Sequence, residues 1–253
     1  MIPPRRDNNT RSEEASAETA AFSIREHVAN NLARVRDRMR QAAERSGRPL
    51  KEIRLVAATK YASTEECQAL LDAGQRILAE SRLPECLDKM EALAPARPEW
   101  HFIGHLQRNK AKLVAGRFAL IHSLDSVRLM ETLADLARER GGPIRGLLEF
   151  NVAGESQKQG FAPSAWREAL DAARRLAPHV VVEGLMGMAP YTDDPQFARP
   201  SFIRLRDLRD QLREASGGEL PLPELSMGMS GDFEVAIEEG ATLARVGSAL
   251  FEK

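Results

Sequence analysis

Lys60 follows the run Ile53–Thr59, whose aliphatic and β-branched residues predict a strand buried on both faces. An amine delivered by such a strand to the edge of a sheet is a candidate imine former. Burial disfavours the ammonium, lowers its pKa and exposes the lone pair that attacks an aldehyde. The plainer alternative is a solvated lysine whose stem lies along the surface. A second cluster sits near the C-terminus. Met229-Ser230-Gly231-Asp232 places a hydroxyl and small residues before a predicted helix, and Arg245-Val-Gly247-Ser248 puts a glycine where backbone must approach something closely. Exposed N–H groups at such turns suit a phosphate; equally, Ser230 is a helix cap and Gly247 a packing site.

Arg245 lies two residues before Gly247, so on a strand the two share a face. A buried guanidinium there needs an acceptor, and a pyridine nitrogen suits it. Because arginine keeps its proton, that nitrogen would stay unprotonated and the ring would be a poor electron sink. His101 and His105, four apart, with His122 further on, are candidate metal ligands, but no obvious carboxylate completes the set, and satisfied core or surface histidines are the commoner outcome. The pairs Met186/Met188 and Met227/Met229 alternate as barrel packing would. A GxSxG nucleophile elbow is absent.

The elements that must position these residues alternate regularly. Strand-like runs are predicted at 53–59, 76–79, 99–103, 118–123, 146–152, 180–188, 224–229 and 243–251, with helices around 64–73, 82–93, 106–115, 126–140, 163–176, 196–215 and 232–239. Ile24, Val28, Leu32, Val35 and Met39 mark a leading amphipathic helix over 23–46, stopped by Gly47 and Pro49. The expectation is an α/β fold, a single-domain (β/α)8 TIM barrel over 21–253 with an extra N-terminal helix, after a disordered extension at 1–20. An open doubly wound sheet competes, but the first strand lacks a glycine-rich phosphate turn. Barrel sites gather at the carboxyl ends of strands, where Lys60, Ser81, Asn151, Ser230 and Gly247 all fall.

Composition narrows the classes. The chain has 253 residues, 43% of them hydrophobic, with 36 basic against 37 acidic side chains, so no overall field favours nucleic acid or a membrane surface. No apolar run approaches the roughly 20 residues of a membrane span, and the N-terminus lacks the apolar core of a secretory signal. Cys67 and Cys86 form no CxxC and read as free thiols in a reducing compartment. A cytoplasmic protein is expected.

Five stretches in order carry a resemblance: Leu55–Lys60, Trp100–Lys110, Asn151–Gly160, Gly184–Met188, and Leu225–Asp232 continued by Ala236-Ile237, Gly240, Thr242 and Arg245-Val-Gly247. From about residue 25 to 251 the chain resembles the pyridoxal 5′-phosphate (PLP) homeostasis proteins (the YggS/PROSC group), single-domain relatives of the alanine racemase barrel. The resemblance implies that Lys60 holds PLP as a Schiff base, that Ser230 with the backbone of Gly247 and Ser248 holds the phosphate, and that Arg245 faces the ring nitrogen. Met229 belongs to the same cofactor-binding stretch. Ser81 matches a position on the cofactor's ring side, and Lys158 a second lysine used in cofactor transfer, or else a solvated loop lysine. The turn Ala79-Glu80-Ser81-Arg82 and Pro84 depart from the family pattern, as do Ala62 and Glu252. The racemase's second base comes from a β-domain for which no residues remain after the eighth strand. The resemblance therefore implies a monomeric PLP binder that serves vitamin B6 balance, passes PLP to apo-enzymes and lacks a robust reaction of its own; weak racemase activity and a cofactor-free Schiff-base aldolase are the alternatives.

Overall fold

The computed structural model describes the backbone of residues 8–155 and 159–252, with side chains from Phe22 onward. Eight parallel strands close a barrel in sequence order: β1 Arg54–Ala58, β2 Ile77–Glu80, β3 Glu99–Phe102, β4 Leu120–Leu124, β5 Ile144–Glu149, β6 Val180–Met186, β7 Glu224–Ser226 and β8 Leu243–Val246. β8 returns to β1 in parallel register, Val56 opposite Arg245, so no sheet edge is left open. The strands read as continuous apolar runs because both faces are buried. Leu55 and Ala57 of β1 join the large core under the helices, while Val56 joins Ile77, Ala79, Leu120, Leu147, Met186 and Leu243 on the barrel axis.

The outer layer is α1 Asn8–Arg45, α2 Thr64–Asp72, α3 Cys86–Ala92, α4 Ala111–Val114, α5 Val127–Arg140, α6 Trp166–Leu176, α7 Arg199–Ala215, α8 Phe233–Glu238 and α9 Ser248–Phe251. α1 packs against α2, α8 and α9, filling the gap between the first and last βα units. Its buried stripe is Val28, Leu32, Val35 and Met39, the periodicity that predicted it. Asn31 of α1 donates to the carbonyls of Leu250 and Glu252 at 3.2 and 2.9 Å, fastening the last turn of the chain to the first helix.

Several predicted boundaries move. α1 begins at Asn8 instead of residue 23, and residues 1–7 of the expected extension lie outside the described residues. The strand predicted over 243–251 ends at Val246. Gly247 turns the chain, and Ser248–Phe251 is a helical turn. An unbroken apolar segment has no period that separates a buried strand from a buried helix, so the sequence pattern alone joins the two. α3 and α4 are shorter than predicted because irregular turns around Leu83-Pro84 and a 3₁₀ turn at Arg108–Lys110 precede them.

Candidate cofactor site

The end of β1 is held from outside the barrel. Thr59 is buried, and its hydroxyl donates to the Glu80 carboxylate at 2.7 Å and the Ala79 carbonyl at 3.1 Å. The Lys89 ammonium completes the cluster, 2.9 Å from Glu80 and 2.8 Å from the Thr59 carbonyl oxygen. Lys60 is the next residue, with the parity of Val56 and Ala58 that points toward the axis. The expectation that its amine is buried is corrected: β1 ends at Ala58, Lys60 stands in the turn beyond it, and its side chain is exposed. Its Nζ lies 5.2 Å from the centroid of the Tyr61 ring, whose surroundings also include the Arg82 guanidinium at 4.3 Å.

The turns after β7 and β8 interlock. The Ser230 hydroxyl accepts the backbone N–H groups of Gly247 at 3.1 Å and Ala249 at 3.4 Å. Ser230 is therefore not the cap of its own following helix, which starts after Asp232. The Asp232 carboxylate accepts the Met229 N–H at 2.6 Å and fixes that turn. Gly247 passes so near β1 that a Cβ on it would lie 3.3 Å from the Ala58 carbonyl oxygen. Met227 is buried as expected, but Met229 is not barrel packing: β7 ends at Ser226, Gly228 takes a positive φ of 88°, and Met229 emerges at the rim 38% exposed. Ser248 is also exposed.

Arg245 is buried inside the barrel. It donates to the Ser226 hydroxyl at 2.6 Å and the Gly187 carbonyl at 3.2 Å. Burial pulls its pKa down to about 10, opposed by Asp232 and Glu149, so it stays a cation at neutral pH. Glu149, buried at the end of β5, is pushed up to about 7 chiefly by burial and further by Asp125, against the pull of Arg245. Ser81 is half-buried after β2, its backbone in close contact with Gly104 of the next strand-to-helix turn. Lys158 lies outside the described residues.

The histidines part company. His105 leaves the barrel rim and pairs with Asp125 at 2.9 Å, whereas His101 points inward to His122, also at 2.9 Å. The spacing of four does not place His101 and His105 on one face, because β3 ends at Phe102. Among the described residues no cluster of three or more His, Cys, Asp or Glu could hold a metal. Glu149 and Asp125 escaped the sequence reading, and Ser226 and Asp232 entered it only as parts of the stretch Leu225–Asp232, without a role at the site. Parity along β5 and β7 marks Glu149 and Ser226 as axis-facing, but nothing local in the sequence says that they approach Arg245.

Ser230, Arg245 and Gly247 are thus brought together, and the turn at Gly247 passes close to Ala58, the last residue of β1, two residues before Lys60. The alanine racemase N-terminal domain model matches residues 30–252. The pyridoxal phosphate homeostasis protein of Aquifex aeolicus is 42% identical over 89% of this chain and 97% of its own. That of Escherichia coli K12 is 35% identical over 88% of this chain and 95% of its own.

This chain belongs to the pyridoxal phosphate homeostasis protein family.

Among solved structures of similar proteins is PipY of Synechococcus elongatus PCC7942 with PLP bound, at TM-score 0.77 and 32% identity, covering 88% of this chain and 99% of that one. Alanine racemase of Corynebacterium glutamicum, at TM-score 0.67 and 14% identity, covers 90% of this chain and 62% of its own length; it shares the fold. This site has the donor chemistry of an anion cradle. It offers a hydroxyl ringed by N–H groups, a glycine where any side chain would crowd β1, and a buried cation on the same strand. No helix among the described residues is long and apolar enough to cross a membrane.

Proposed function

We propose that this protein is an intracellular PLP carrier of the cytoplasm, working as a monomer from the domain 21–253, that holds PLP as a Schiff base on Lys60 and passes it to apo-enzymes. The carrying observation is the contact between the Ser230 hydroxyl and the Gly247 N–H, at 3.1 Å, on a turn pressed against Ala58 at the end of β1, two residues before Lys60. Ser230 with the backbone of Gly247 and Ser248 binds the phosphate; Arg245 faces the ring nitrogen, with Ser81 on the ring side and Met229 at the rim. Lys158 is the candidate secondary lysine.

PLP supplies an electrophilic carbonyl and a ring that absorbs electrons when its nitrogen is protonated. Arg245 remains protonated and offers that nitrogen only donors, which leaves the ring weakly activated. An exposed Lys60 suits loading and unloading from solvent better than it suits chemistry in a dry site. No robust reaction is proposed, and α-hydrogen exchange of amino acids in D₂O should stay at background.

The visible spectrum of purified protein, wild type and Lys60→Ala, before and after borohydride, tests the reading. A visible band in wild type that borohydride abolishes, and that Lys60→Ala lacks, is expected. A colourless wild type after incubation with PLP, or an unchanged band in Lys60→Ala, overturns it.

A further inference from the structure

A continuous chain of polar side chains crosses the barrel from Arg245 to its opposite end. Arg245 Nη1 lies 2.6 Å from Ser226 Oγ, which lies 2.8 Å from His122 Nδ1. His122 Nε2 lies 2.9 Å from His101 Nδ1, and His101 Nε2 lies 2.9 Å from the Glu99 carboxylate. Every member except Glu99 is buried, in the part of the interior that apolar side chains fill in most barrels of this type. Such a buried network persists when each donor has its acceptor.

Its two ends dictate its direction. Arginine only donates and a carboxylate only accepts. If Ser226 accepts from Arg245 and gives its own proton to His122 Nδ1, then His122 donates through Nε2 to His101 Nδ1, and His101 donates through Nε2 to Glu99. One arrangement, with both rings in the Nε2–H form, satisfies every link without adding a proton. Burial, together with the nearby His101 and the Arg245 and Arg54 cations, holds His122 well below the ordinary histidine range and so keeps it neutral. Glu99 is held below the ordinary carboxylate range by its bond to His101, with Arg54 and Arg145 close by.

We propose that Ser226, His122, His101 and Glu99 form a one-way hydrogen-bonded relay of positioning residues that fixes the orientation of Arg245, and hence its donor face toward the cofactor ring. The relay's purpose rests on the PLP reading above, whereas its direction does not. Arg245 has a second anchor in the Gly187 carbonyl at 3.2 Å; the relay supplies the shorter contact.

The direction is tested on wild-type protein, with no ligand added, by long-range proton–nitrogen correlation of the imidazoles. His101 and His122 should both carry their proton on Nε2, and Ser226→Ala should shift the His122 Nδ1 signal. A protonated Nδ1 on His122, or two protonated nitrogens on His101, overturns the relay. The purpose is tested by PLP titration. Cutting the chain with His122→Phe or Ser226→Ala should weaken PLP by roughly tenfold and move the visible band, as loss of outer-shell partners does elsewhere. His122→Asn, whose carbonyl can still accept from Ser226, should restore most of it. Wild-type affinity and spectrum in a folded Ser226→Ala protein would overturn the positioning role. If wild type takes up no PLP, the carrier reading fails while the imidazole measurement still decides the relay.

Discussion

Lys89 Nζ sits 2.9 Å from the Glu80 carboxylate, and both side chains are largely removed from water, at 15% and 2% exposure. The pair lies between β2 and the start of the helical layer and holds the Thr59 hydroxyl and carbonyl, so it sets where β1 releases Lys60. Removing one partner strands a buried charge. Lys89→Met should therefore cost about 3 kcal/mol or more, while Glu80→Gln/Lys89→Met, which leaves no ion and keeps an acceptor for Thr59, should recover most of the loss. Urea unfolding of the two variants at neutral pH checks this; equal destabilisation would show that the pair's charge is not what matters.

Glu149 gives the fold a dependence on pH. Its folded pKa, about 7, is raised above the ordinary carboxyl value of 4.5. The folded state then binds more protons than the unfolded chain between those values, so this group's contribution falls as pH rises from about 4.5 to about 7 and is level above that. The loss is on the order of 3 kcal/mol from the size of the shift. Glu149→Gln cannot ionise, and its stability advantage over wild type should grow from pH 5 to pH 8. A constant difference across that range would show that Glu149 titrates normally.

Much of the barrel was legible because strand parity and helical periodicity are local. Val28, Leu32 and Val35 declare the buried face of α1, and Leu55–Ala58 declare a strand covered on both sides. The meeting of the turns after β7 and β8 was legible for a similar reason, since Ser230 and Gly247 are small residues at consecutive strand ends. The exposure of Lys60 was not, because it depends on where β1 stops, which Thr59, Glu80 and Lys89 decide from three separate segments. Nor was the Arg245-to-Glu99 chain visible, since its members come from four strands and each alone reads as an isolated polar residue in an apolar run.

The two cysteines should be inert in the native state. Both are free and buried, and burial pushes the Cys67 thiol up to about 12 and the Cys86 thiol to about 11. Thiolate is the reactive form, so at pH 8 a thiol reagent should label neither until the protein unfolds. Labelling followed against urea should track the global transition. Rapid reaction of either cysteine in buffer would mean that the helical layer around α2 or α3 opens locally.

The turn at Gly247 leaves little room for a side chain. At Gly247 a Cβ would stand 3.3 Å from the Ala58 carbonyl oxygen and 3.4 Å from its Cβ. Both belong to a closed barrel, paired to β2 and β8, so neither can retreat without disturbing the register of Ala58 with Ala79. Gly247→Ala should thus cost about 1 kcal/mol through overpacking. It should also widen the gap between the Ser230 turn and the strand that presents Lys60, because relief comes most easily by moving the 247–249 segment outward. That motion lengthens the contacts from Gly247 and Ala249 to the Ser230 hydroxyl, now 3.1 and 3.4 Å. PLP affinity should fall by more than the stability change explains, while borohydride still traps PLP on Lys60 at saturating concentration. Unchanged affinity with lowered stability would place the phosphate elsewhere than beside Gly247.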